Sequence, residues 1–147
     1  MQQQVANRKA IIDRQALIEG LEAQVRDLSR DKMRAVLVKG LQDALAAGDA
    51  EVRRRMLDGD GGRKVAFARS FLIDQIIRVL YDFTLTYEYQ ADNPTSGEHL
   101  SIVAVGGYGR AEMAPFSDVD LLFLLPYKQT AWGEQVVEFM LYVLWDL

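Results

Sequence analysis

LSIVAVGGYGRAEMAPFSDVDLLFLLP, residues 100–126, decides how the rest of the chain is read. Residues 102–105 and 119–125 are rich in the β-branched and aliphatic side chains of buried strands. Between the two runs, Gly106, Gly107 and Gly109 give the backbone access to positive φ and to close approach by a ligand. Asp118 and Asp120 stand two apart at the start of the second run. In a strand this places both carboxylates on one face, with Cα atoms roughly 6.5–7 Å apart. Carboxylates at that spacing suit one or two Mg2+ ions, which take oxygen ligands and commonly share phosphate oxygens with a nucleotide. A glycine turn for phosphates beside an Asp-x-Asp for metal is a nucleotide-handling arrangement.

Rival phosphate motifs do not fit. No Gly-Lys-Ser/Thr follows an earlier glycine, which removes a Walker A loop. A dinucleotide fingerprint needs a third glycine opening a long helix. Here Glu112 occupies that place, and Pro115 interrupts any helix soon after.

Gly106-Gly107, ten intervening residues and Asp118-Val119-Asp120-Leu121 resemble the signature of the polymerase-β-like nucleotidyltransferase superfamily. Within it, residues 106–124 closely resemble the N-terminal catalytic domains of bacterial PII uridylyltransferases, the bifunctional uridylyltransferase/uridylyl-removing enzymes. Gly106, Gly107, Gly109, Arg110, Glu112, Pro115, Ser117, Asp118, Asp120, Leu121 and Leu122 carry the match, about a fifth of the chain being covered. The resemblance implies an α+β (α/β) fold. A helical region over residues 1–91 would precede a nucleotidyltransferase core over 98–147, with a small mixed sheet truncated at its C-terminal end.

The resemblance also implies the site. The amides of Gly106, Gly107 and Gly109 would hold the β/γ-phosphates, with Arg110 adding charge-assisted hydrogen bonds. Asp118 and Asp120 would be the catalytic metal ligands for Mg2+ or Mn2+, polarising the α-phosphate and lowering the pKa of the attacking hydroxyl. Ser117 reads either as a phosphate contact or as a turn cap, and Glu112 as a support for Arg110. The implied reaction is transfer of UMP from UTP to a tyrosine of the PII signalling protein, releasing pyrophosphate.

In the superfamily a third carboxylate arrives on a later strand. Downstream of the motif only Glu134, Glu138 and Asp146 are acidic, and all three fall in a predicted helix. The expectation for this chain is therefore nucleotide binding with weak or absent turnover. The HD and ACT domains through which the family removes UMP and senses glutamine have no counterpart in this sequence. Two alternatives stay open. An adenylyltransferase of glutamine synthetase also pairs glycines with Ser-Asp-x-Asp, although Gly-Tyr-Gly-Arg favours the PII enzyme. A non-catalytic nucleotide-binding regulatory module, with its helices as a docking surface, is the reading from another class. Taken singly, the glycines could serve a tight turn and the aspartates could cap an element, but the combined string argues against that.

The 147 residues are 50% hydrophobic and 26% charged, the balance of an ordinary globular chain. There is no cysteine and only one histidine, His99, so neither a disulfide framework nor a multi-histidine zinc cluster is available. The net charge of −4 argues against a nucleic-acid partner. No apolar run reaches transmembrane length, and residues 1–9 lack the apolar stretch of a signal peptide, so no membrane is expected and a cytoplasmic setting is the default. Charge is uneven. Residues 1–65 hold 13 Lys/Arg against 10 Asp/Glu, and the remainder, which carries the Asp pair, holds 4 against 11.

Outward from the motif, periodicity predicts helices. Residues 8–28 form one, with Ile11, Ile18, Leu21, Val25 and Leu28 as its apolar positions. A second begins at Ser29 or Asp31, carries Met33, Leu37, Leu41 and Leu45, and stops at Gly48. Asp49 caps a short helix to Leu57, whose Arg53-Arg54-Arg55 reads as a solvated face. Residues 58–62 are a turn that only superficially resembles a calcium loop. A long helix over 63–87 follows, and residues 92–97 with Pro94 form a loop. His99 reads as a surface residue at the strand's entrance. Thr130 caps a final helix that is apolar nearly all round. That helix runs to the last residue without a stop signal, so the sequence is expected to be a piece of something longer.

Overall fold

The computed structural model describes residues 5–91, 98–126 and 129–147; the loop expected over 92–97 lies outside these. Among the described residues the elements follow in order: α1 (Arg8–Ile11), α2 (Arg14–Val25), α3 (Arg30–Leu57), α4 (Gly62–Phe83) with a π-helical extension (Thr84–Glu88), β1 (Ser101–Ala104), α5 (Gly106–Gly109), β2 (Leu121–Leu124) and α6 (Ala131–Trp145). The expected α+β architecture is present. Helices dominate, and the sheet among the described residues is a single antiparallel pair in the register Ser101–Leu124, Ile102–Phe123, Val103–Leu122 and Ala104–Leu121.

The core is one cluster centred on α4. Leu72, Ile76 and Leu80 pack against Leu37 and Leu41 of α3, all nearly or wholly buried. The helix spacing of these residues is what the sequence shows, since an apolar stripe at i, i+4 and i+8 faces one neighbour. Two helix boundaries differ from expectation. The single helix over 8–28 is two pieces, because Ile12 is extended and Asp13 starts α2 afresh, its side chain accepting from the Ala16 amide. Gly48 does not end a helix; α3 runs through it without a break to Leu57. Its glycine serves contact. A Cβ there would lie 2.4 Å from Leu72 Cδ1 and 3.1 Å from the Ile11 carbonyl oxygen. Close helix approach, and not chain reversal, explains this residue.

The arginine run also has structural work. Arg54 pairs with Glu51 and Asp58, while Arg55 pairs with Glu51 and donates to the carbonyls of Ala6 (2.7 Å) and Asn7 (2.9 Å). Arg55 thereby fastens the chain's beginning to the end of α3.

Sheet residues alternate. Ile102, Ala104, Leu121 and Phe123 face the helices, and Val103, Leu122 and Leu124 face outward. Tyr81 Oη ties the entrance of β1 to α4 by donating to the Leu100 carbonyl at 3.2 Å, and Trp132 Nε1 ties α6 to the end of the π-helical extension by donating to the Tyr89 carbonyl at 2.8 Å. Thr130 caps α6 as expected, its hydroxyl accepting from the Gly133 amide. The final helix is less enclosed than its composition suggests: Val136, Met140 and Val143 are buried, but Tyr142 and Trp145 are exposed.

Candidate nucleotide site

The site lies on the connection between β1 and β2. After Ala104 the chain turns into α5, the four residues Gly-Gly-Tyr-Gly. Gly106 has φ +60°, the left-handed region that only glycine occupies without strain. Space is as restrictive as the dihedral. A Cβ on Gly106 would stand 2.5 Å from Asp120 Oδ2, and one on Gly109 would stand 2.6 Å from the Ala104 carbonyl oxygen. Gly107 has more room, its nearest neighbour being the Glu112 carbonyl oxygen at 3.7 Å.

The turn closes through Gly109 N–H to Val105 O (2.8 Å) and Glu112 N–H to Gly107 O (2.9 Å). The amides of Gly106, Gly107 and Tyr108 precede the first intrahelical bond and have no partner within the turn. These are the donors a phosphate can use.

Asp118 and Asp120 precede β2 and do not begin it, since ladder pairing starts at Leu121. The backbone is already paired one residue earlier, however, with Val105 N–H donating to Asp120 O at 3.1 Å. That bond fixes Asp120 beside the start of the glycine turn and explains why its carboxylate lies over Gly106. Both aspartates are exposed, and among the described residues neither forms an ion pair or side-chain hydrogen bond.

Arg110 and Glu112 pair with each other at 3.0 Å and are both open to solvent. Ser117 Oγ donates to the Ala114 carbonyl at 2.7 Å, the turn-cap geometry of its two sequence readings. Between them, Ala111 and Phe116 have φ of 59° and 64°. Phe116 is also almost fully exposed, so the segment leading to the aspartates carries both backbone strain and a solvated aromatic ring.

The donor set suits a hard divalent cation. Two carboxylates without protein partners among the described residues offer only oxygen, and the Asp120 carboxylate can lie against Gly106 because that residue lacks a Cβ. Among the described residues no third acidic or histidine side chain joins them. Glu134 and Glu138 sit on α6, and Asp146 is engaged by Arg34 at 3.0 Å. His99 is exposed at the entrance to β1.

One residue of the turn escaped the sequence reading. Tyr108 is buried, and its hydroxyl donates to Asp74 Oδ1 of α4 at 2.6 Å. The available signal was Asp74 itself, the one acid in the largely apolar run Phe71-Leu72-Ile73-Asp74-Gln75-Ile76-Ile77.

The chain is 56% identical over 143 residues to a bifunctional uridylyltransferase/uridylyl-removing enzyme of Rhodospirillum rubrum, a match covering 95% of this chain and 15% of that protein. It is 50% identical over 144 residues to the protein of the same name from Azospirillum brasilense, covering 97% and 15%. For Novosphingobium aromaticivorans the identity is 45% over 144 residues, covering 97% and 16%. The chain thus spans about 15% of the length of the curated relatives it matches. No protein-family profile matches it, and no solved structure does. Over nearly its whole length, then, the chain is homologous to a stretch of the bifunctional uridylyltransferase/uridylyl-removing enzymes.

Proposed function

We propose that this chain supplies the phosphate turn and two metal-binding carboxylates of a nucleotidyltransferase that moves UMP from UTP to a tyrosine hydroxyl of a PII signalling protein, releasing pyrophosphate. The observation that carries the reading is the seating of the Asp120 carboxylate directly over Gly106, at the mouth of a turn whose first amides are unpaired among the described residues. Homology to proteins named for uridylyl transfer supports the choice of UTP, and by resemblance the acceptor is PII.

In this reading the amides of residues 106–108 bind and orient the terminal phosphates, and Arg110 swings from Glu112 to add charge at their edge. Asp118 and Asp120 would hold Mg2+, which when bound polarises the α-phosphate and neutralises developing charge. The aspartates' exposure leaves both open to the incoming nucleotide. Because two carboxylates stand without a third among the described residues, the chain by itself is expected to bind nucleotide without turning it over.

Isothermal titration of UTP and of ATP, with and without Mg2+, tests this directly. Wild-type chain should bind UTP more tightly than ATP, only with Mg2+, and the Asp118→Ala/Asp120→Ala double variant should lose the signal. Equal UTP binding by the double variant would refute the assignment.

A further inference from the structure

Three of the four residues of α5 are glycine, and a single helical turn does not hold itself in water. Glycine adds to the problem because it loses the most conformational freedom on ordering. Something outside the turn must fix it. The only side chain it has beyond hydrogen is Tyr108, which is 4% exposed and donates to Asp74 Oδ1 at 2.6 Å. Asp74 stands on α4 between the buried Ile73 and Ile77, in the most enclosed helix of the fold. The contact therefore spans 34 residues and joins the least self-supporting element to the best supported one.

The chemistry of the pair suits a permanent tie. Burial and the adjacent Asp74 carboxylate push the Tyr108 hydroxyl far above its ordinary pKa, so it remains a donor at every working pH. A phenol donating to a carboxylate makes a short, charge-assisted bond. A cleft of about 290 Å3 runs beside it, bounded by Arg78 and Tyr81 on α4 and by Ile102 and Ala104 on β1. Tyr108 and Asp74 both line that cleft.

We propose that the Tyr108–Asp74 pair is a positioning clasp for the phosphate turn, holding the amides of residues 106–108 in the arrangement that receives a nucleotide. Neither side chain touches the nucleotide; both act through the backbone they anchor. The clasp deepens the nucleotide-binding reading above and rests on it for its consequence.

The test uses Tyr108→Phe, Asp74→Ala and Asp74→Asn with two readouts. NMR-detected hydrogen exchange of the nucleotide-free chain reports the turn itself, and calorimetry with UTP and Mg2+ reports binding. Tyr108→Phe and Asp74→Ala should each speed exchange at the hydrogen-bonded amides of residues 109–112 about tenfold while α3 is unchanged, and should weaken UTP binding about tenfold, the equivalent of one ~1.4 kcal/mol hydrogen bond. Asp74→Asn keeps an oxygen acceptor but loses the charge, and should fall between Asp74→Ala and wild type on both readouts. Unchanged turn exchange in Tyr108→Phe overturns the clasp whatever the nucleotide does. So does an equal acceleration across α3 and α4, which is the mark of a merely structural role. Faster turn exchange with undiminished UTP affinity overturns the positioning role. If the wild-type chain binds no UTP while exchange follows the expected pattern, the phosphate reading falls and the clasp stands.

Discussion

Leu72, Ile76 and Leu80 on α4 are closed off from water, whereas Val103, Leu122 and Leu124 on the sheet leave 37%, 46% and 48% of their surface in it. The two regions differ in what secures them. The helical layer is held by interlocked side chains from α2, α3 and α4, and Gly48 lets two of those helices approach closely. The segment carrying the site is held by a two-stranded ladder, which is marginal by itself, together with a few points of attachment to α4: Leu100, Tyr108 and Met113 in the core and the Tyr81 bond to the Leu100 carbonyl. Stability resides in one region and the candidate site in the other. Substitutions should therefore separate into those that unfold the chain and those that disable the site while leaving the fold.

The largest effect belongs to the helical side. Leu72→Ala leaves a cavity at the centre of the helical layer and should cost about 3–5 kcal/mol in denaturant unfolding, taking the site's order with it. Survival of UTP binding after such a loss would break the comparison. Gly48→Ala comes next and turns on its sign. Helix propensity alone favours alanine by about 1 kcal/mol. The added methyl, however, meets both Leu72 δ-carbons and, at 3.1 Å, the Ile11 carbonyl oxygen, and Leu72 is wholly buried. A net loss of about 1–3 kcal/mol is expected from overpacking. A stabilised variant would show that these helices sit further apart than described.

Smaller effects sharpen the picture at the edges. Thr130→Ala removes the cap of α6 and should cost about 1 kcal/mol, read as a lower midpoint with no change in denaturant slope. The mildest is a pH effect. Glu51 accepts from Arg54 and from Arg55, which hold its carboxyl down at about 2 against an ordinary 4.5. Its folded value is depressed, so its contribution is present above pH 4.5 and is lost as pH falls from there toward 2. Glu51→Gln should flatten the decline of the melting temperature across that window; an unchanged decline would assign it to other carboxylates.

What could be read beforehand follows from where each determinant sits along the chain. The stripes of α3 and α4, the Thr130 cap and the glycine–aspartate motif are local patterns, and each was visible in a window of a few residues. The role of Gly48 was not, because its partner Leu72 is on another helix, and a lone glycine near the end of a stripe looks like a stop. The break at Ile12–Asp13 was hidden for the opposite reason: the apolar positions stay in phase across it. Arg55 appeared as one of three solvated arginines, since its carbonyl acceptors on Ala6 and Asn7 lie far back in the sequence. At the site, the residue types and their order were legible. The geometry was not: Asp120 is fixed by the amide of Val105 before the ladder begins, and Tyr108 finds Asp74 only once α4 has packed on the sheet.

Gly106→Ala bears most directly on the central claim, because it adds one methyl where both the left-handed φ and the Asp120 carboxylate forbid it. UTP with Mg2+ should be titrated into wild type and variant, with thermal unfolding recorded on the same samples. The variant should lose about tenfold or more in affinity while its melting temperature falls by only a few degrees, the scale of ~1–2 kcal/mol of backbone strain in a chain of this size. Full UTP affinity in Gly106→Ala would contradict the claim that this turn and Asp120 together form the nucleotide site.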